Sequence, residues 1–140
     1  EARLAFWETL LPVTKERSDL HQNISPGKYH WVGARRHGQW WNFVVLMDET
    51  RVELYLDSPE RADNKRLFDA LASDLEAIES DFGGALLWQR LDEKRASRIS
   101  FTVSGGWADT STWDEAIEAA VDAMARLYHA LWQRVDSHRD

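Results

Sequence analysis

The 140-residue chain contains no cysteine, which excludes disulfides, thiolate nucleophiles and cysteine-ligated metals together. The absence fits a reducing compartment, and a cytoplasmic protein is the expectation. No run of about 18 apolar residues occurs, so nothing in the sequence predicts a membrane span. A basic segment followed by an apolar one, the mark of a secretory leader, is also missing. The chain starts at Glu1 rather than methionine and is expected to be a C-terminal piece of a longer protein. Positive charge is in deficit: 17 Lys and Arg stand against 24 Asp and Glu, for a net charge of -7. Domains that grip many phosphates usually carry the opposite sign. The acids cluster, however, on two predicted helices, with Asp69, Asp74, Glu76, Glu79 and Asp81 on one. Asp109, Asp114, Glu115, Glu118 and Asp122 gather at the start of the other. This leaves room for a local basic patch elsewhere.

What is present is a hydrophobic content of 44%, enough for one domain over 1–140 with its own core. Leu4, Trp7 and Leu10 or Leu11 give residues 1–11 a helical stripe, and Pro12 is expected to end it. Period-two alternation then marks three strands. The first is weak (29–36), the second places Trp41, Phe43, Val45 and Met47 on one side, and the third does the same with Val52, Leu54 and Leu56. Turns at His37-Gly38-Gln39 and Asp48-Glu49 make these an antiparallel meander. Ser58-Pro59, or alternatively Asp63, opens one long helix whose stripe runs Leu67, Leu71, Leu75, Ile78 and Phe82, with Gly83 at its C-terminal end. Two further strands follow, joined near Asp92-Glu93-Lys94. Ser111 caps a last helix buried along Ile117, Val121, Met124, Leu127 or Tyr128, Leu131 and Val135. The predicted class is α+β, in the order α-β-β-β-α-β-β-α, with helices covering one face of an antiparallel or mixed sheet.

No reaction can be written from the residues. Glu8, Asp48 and Glu53 are the only acids that could converge for a divalent-metal nuclease of the PD-(D/E)XK type, and Tyr55 occupies the place of its lysine. Five histidines show no ligand spacing, and Gly83-Gly84 and Gly105-Gly106 lead into no phosphate loop. No catalytic residue, metal or cofactor is expected. Eight tryptophans exceed what a domain this size needs for packing. Trp7, Trp41 and Trp88 fall on apolar patterns, whereas Trp40 must point to the opposite sheet face from Trp41. Trp31, Trp107, Trp113 and Trp132 are expected at layer edges. An exposed subset would suit a protein groove or stacked bases.

The stretch LLWQRLDEKRASRISF (86–101) sets Arg90, Lys94, Arg95 and Arg98 close together in a hairpin. With Lys28, Arg35 and Arg36 they would form a phosphate-tracking surface if the first and last strands were neighbours. Pairing with the acidic helices is the alternative.

The combination of Arg51-Val52-Glu53-Leu54-Tyr55, Asn64-Lys65-Arg66-Leu67-Phe68-Asp69, Ile78-Glu79, Phe82-Gly83, Leu87-Trp88-Gln89-Arg90-Leu91 and Lys94-Arg95-Ala96-Ser97-Arg98-Ile99 resembles the prokaryotic domain-of-unknown-function family 4268. The resemblance spans most of the chain. It implies a domain often C-terminal in larger proteins, some of them joined to nuclease-like or other DNA-processing modules. The expected function is a non-catalytic accessory or interaction domain in a DNA-processing or phage-defence system. The alternatives are a nucleic-acid contact module and a degenerate nuclease domain. Arg35, Arg36, Lys65, Arg90, Lys94, Arg95 and Arg98 are the contact candidates, with Glu53 and Tyr55 in a polar network. Other domains of the parent protein, a second copy, or DNA or RNA are the expected partners, and a membrane is not.

Overall fold

The structure, a computed structural model, describes residues 1–139. Its elements run α1 (Ala2–Arg17), β1 (Trp31–Arg36), β2 (Gln39–Val45), β3 (Glu49–Leu56), α2 (Arg61–Ala72), α3 (Leu75–Phe82), β4 (Leu87–Gln89), β5 (Ser97–Ser104), a 3-10 turn (Thr110–Thr112) and α4 (Trp113–Ser137). The strands form one sheet in the order β1-β2-β3-β5-β4, antiparallel at every pairing. The fold is therefore α+β, with one helix more than expected. Among the described residues no helix is long and apolar enough to cross a membrane.

Strand periodicity divides the sheet into two unlike faces. The cross-strand rows Val32, Phe43, Val52, Phe101 and Ala34, Trp41, Leu54, Ile99 point toward the helices. There α4 packs across β2, β3 and β5 through Ile117, Val121, Met124, Leu127, Leu131 and Val135, the stripe that its period predicts. Phe6, Trp7, Leu10 and Leu11 of α1 complete the same core. His21, which follows α1, lies in it as well, 5.0 Å from Phe43 between ring centroids. The rows between, Gly33, Asn42, Glu53, Ser100 and Arg35, Trp40, Tyr55, Arg98, point away from the helices. The hairpin between β1 and β2 closes through His37 and Gly38, both at positive φ (57° and 79°), a two-residue turn within the expected segment, with Gln39 already in β2.

Three departures from the expected elements have physical causes. Helix α1 continues through Pro12 to Arg17. Pro12 lies on the exposed side, where water can satisfy the carbonyl it leaves unbonded, while Leu11 and Thr14 stay buried on the other. The single long helix divides at Ser73-Asp74: the Ser73 hydroxyl donates to the Ala70 carbonyl at 2.6 Å, a local bond that competes with continuing the helix. The break turns α3 onto α4 and leaves α2 against β5. Finally, β1 lies at one edge with β2 and β3 between it and β5, so the adjacency that would have joined the two basic strands is not met.

Candidate functional site

At the centre of the open face stands Glu53, whose side chain is only 4% exposed. Its neighbours follow from strand geometry. Arg51 precedes it by two residues on the same face, Asn42 and Ser100 are its cross-strand partners, and Arg98 is the diagonal neighbour on β5. Arg51 Nε donates to Glu53 Oε1 at 3.0 Å, and Asn42 Nδ2 donates to Oε2 at 2.9 Å. Arg98 Nε lies 3.0 Å from Oε1 at ion-pair distance, but its N–H makes no hydrogen bond. Two guanidinium groups thus share one carboxylate. Gly33 belongs to this arrangement, because a Cβ there would come within 1.9 Å of Asn42 Oδ1. Only a glycine lets the amide lie across β1.

Aromatic rings flank the charged centre. Trp31 and Trp40 meet edge to face, with centroids 6.1 Å apart. The Arg35 guanidinium lies 6.0 Å from the Trp40 ring and that of Arg98 5.4 Å from the Tyr55 ring. Arg35, Trp40, Tyr55 and Arg98 form one continuous cross-strand row, cation to ring and ring to cation. Together with the Arg51–Glu53–Arg98 centre these rings enclose a cleft of about 360 Å³. Asn42 Oδ1 and Ser100 Oγ have virtually no solvent contact and no hydrogen-bond partner, whereas Arg98 Nε is matched by the Glu53 carboxylate. Buried polar atoms are usually paired, so two lone ones beside one carboxylate set this face apart from an ordinary closed sheet surface.

The predicted contact residues scatter. Arg35 and Arg98 reach the open face and Lys94 stands exposed in the β4–β5 turn. Arg36, next to Arg35, points the other way, pairing with Asp19 at 3.0 Å and lying over Tyr128. Arg90 is held by Asp69 and Asp92, which keep its guanidinium well above the ordinary arginine range. Arg95 makes a two-pronged pair with Asp57 at 2.8 and 3.1 Å. Lys65 is no surface contact at all. Its ammonium is enclosed by the carbonyls of Arg90, Leu91 and Ala96 and by Ser97 Oγ, at 2.6, 2.8, 2.7 and 3.1 Å, and burial lowers its pKa. The predicted polar pair, Glu53 and Tyr55, does lie within the site.

The structure does not bring Glu8, Asp48 and Glu53 together. Glu8 is exposed on α1 and Asp48 in the β2–β3 turn, while Glu53 is enclosed on the face opposite the helices. Among the described residues no group of three His, Asp or Glu side chains could hold a metal ion. His21 is buried, and its Nε2 donates to the Trp41 carbonyl at 2.9 Å; burial pushes it down to about 4. His37 stacks on Trp132 and bonds to Tyr128 and Asp136, fastening the β1–β2 turn to the end of α4.

Arg51, Asn42, Ser100 and Trp31 were missed as site residues. Their signal was the alternation itself. Once Glu53 is assigned to the face away from the core, Arg51 must share it, and the register of β2 brings Asn42 opposite. What these groups can do is bind: guanidinium forks for an anion and ring faces for a planar group.

No curated protein and no solved structure matches the chain. Residues 2–135 match the family described as Domain of unknown function (DUF4268), and the chain belongs to that family.

Proposed function

We propose that the chain is a non-catalytic contact domain of a larger cytoplasmic prokaryotic protein, serving a DNA-processing or phage-defence system, and that its open sheet face binds single-stranded DNA or RNA. The observation that carries this reading is the row Arg35, Trp40, Tyr55, Arg98 on a face left bare by the helices. Bases in a single strand offer their ring faces for stacking, worth about 1–3 kcal/mol each, whereas those of a duplex are already stacked. With strands about 4.8 Å apart the row spans roughly 14 Å. Charge segregation supports it. Asp69, Asp74, Glu76, Asp114, Glu115, Glu118 and Asp122 are exposed on helices of the opposite layer, so the net acidity does not face the strand.

The test is fluorescence anisotropy of labelled single- and double-stranded oligonucleotides across a salt series. Arg35 and Arg98 contacting phosphates predict a slope of log K against log salt of about −1.4 for a single strand, and Trp40→Ala weakens binding by about tenfold or more. Absence of binding at low salt, or a preference for duplex, overturns the reading. A protein partner or second copy is favoured by Trp31 and Leu87, 41% and 55% exposed on the same face. That arrangement would give salt-insensitive self-association in sedimentation.

A further inference from the structure

We infer that the cleft at Glu53 is a seat for one nucleotide unit, its phosphate taken by Arg51 and Arg98 and its base laid against Trp31 and Trp40. The inference rests on the reading of the open face as a single-strand surface, and names where along that face the strand is anchored.

Charge gives the first argument. Two guanidinium groups against one carboxylate leave a surplus positive charge inside a concavity. Their side chains are only 24% and 20% exposed, so the surplus is less screened than on an open surface. Asp57, the other acid of the cleft, is already matched by Arg95. Donors give the second. Among the described residues Arg51 uses only its Nε, toward Glu53, which leaves both Nη groups to donate elsewhere. Arg98 spends one Nη on a long contact to Gln89 Oε1 at 3.5 Å. Glu53 thereby acts as a positioning residue: it aims two forks and is itself spent on them. Paired forks match the oxygens of a phosphate better than those of a neutral group.

The third argument is the set of unpartnered atoms. Asn42 and Ser100 are 5% and 0% exposed, and each keeps a polar atom unsatisfied beside the carboxylate. Asn42 lines the cleft and Ser100 lies beneath it; a base amino group that draws the Asn42 amide oxygen away from Gly33 satisfies an acceptor that an apolar ligand leaves unpaired. Size is the fourth. A cleft of about 360 Å³ lies at the small end of ligand sites, suited to one nucleotide and too small for a folded segment. Trp31 and Trp40, at 84° to one another, present a corner in which a ring stacks on one indole and abuts the other.

The experiment titrates the 140-residue chain with deoxyadenosine 5′-monophosphate, deoxyadenosine and inorganic phosphate, following tryptophan fluorescence and calorimetric heat. The nucleotide is expected to bind roughly tenfold or more tighter than either half, because both halves of the cleft contribute. Arg51→Gln and Arg98→Gln should each remove most of that advantage while leaving nucleoside binding within about twofold; circular dichroism checks their folding. If both variants misfold, the wild-type comparison of the three ligands decides the matter alone. Equal affinity for nucleotide and nucleoside, or no binding of the nucleotide at millimolar concentration, overturns the inference. Oligonucleotide binding without nucleotide binding, unchanged in Arg51→Gln, discards this seat and keeps the single-strand reading. Nucleotide binding without oligonucleotide binding keeps the seat and discards the strand.

Discussion

The two faces of this sheet come from the same strands, often from adjacent residues, yet they are buried in different ways. Trp41 and Leu54 lie under α4 and its neighbours at 0% exposure, among apolar side chains. One residue away in sequence, Asn42 and Glu53 reach 5% and 3% exposure on the other face with no helix above them. The first pair is covered by another layer; the second is covered by side chains of its own face, Arg51, Arg98 and the rings beside them. Burial by a layer is nondirectional and tolerant of shape. Burial by polar neighbours depends on each partner staying in place.

The largest effect should come from taking away the centre of the open face. Glu53→Ala leaves two partly buried guanidinium groups facing each other and is expected to cost roughly 3–5 kcal/mol in urea unfolding, comparable to breaking a buried ion pair elsewhere. A loss under about 1 kcal/mol would show that the triad is wet and that the contrast between the faces is superficial. Leu54→Ala on the covered face should cost roughly 2–5 kcal/mol through the cavity it opens, with no change in nucleotide binding. Glu53→Ala, which releases Arg51 and Arg98 from their fixed positions, should also weaken nucleotide binding, so the two substitutions differ in ligand response more than in stability.

Acid should loosen the covered face first. The His21 imidazole is neutral in the fold, with its pKa pushed from 6.5 to about 4 by burial and, to a lesser degree, by the Arg36 charge. Below pH 6.5 the unfolded chain takes up a proton that the folded chain refuses, so stability falls from there and the loss is complete near pH 4. The amount is about 3 kcal/mol for a shift of this size. Comparing His21→Gln with the parent at pH 7 and pH 4 isolates it; equal pH dependence would mean that water already reaches the ring. The smallest effect belongs to Arg35→Ala, exposed at the rim of the open face. It should alter stability by less than about 0.5 kcal/mol while lowering the salt slope of strand binding by about one phosphate contact.

Much of the covered face could be read from the chain because apolar periodicity reports burial directly. The α4 stripe from Ile117 to Val135 and the alternation of Trp41, Phe43 and Val45 are examples. Pro12 misled because its cost depends on which side of α1 it occupies, and Ser73-Asp74 because an apolar stripe passes unbroken over a helix break. The open face was half visible. Glu53, Tyr55 and Trp40 could be assigned to it by parity, and Arg98 sits there among the polar positions of β5. Whether those residues meet depends on strand order, which local pattern does not carry; β1 and β5 proved to have two strands between them. Lys65 shows the same limit. Its charge suggested a surface, and only the tertiary fold reveals that the oxygens of the β4–β5 connection surround it.

That ammonium has a further meaning for a chain without cysteine. Four oxygens from the segment 90–97 converge on one cation at 2.6–3.1 Å, much as ligands gather around a bound ion. The hairpin that delivers Arg98 to the cleft is therefore clasped by a covalently tethered cation, supplied by α2. Such a clasp is assembled whenever the chain folds, needs no metal supply, and is indifferent to both chelators and reductants.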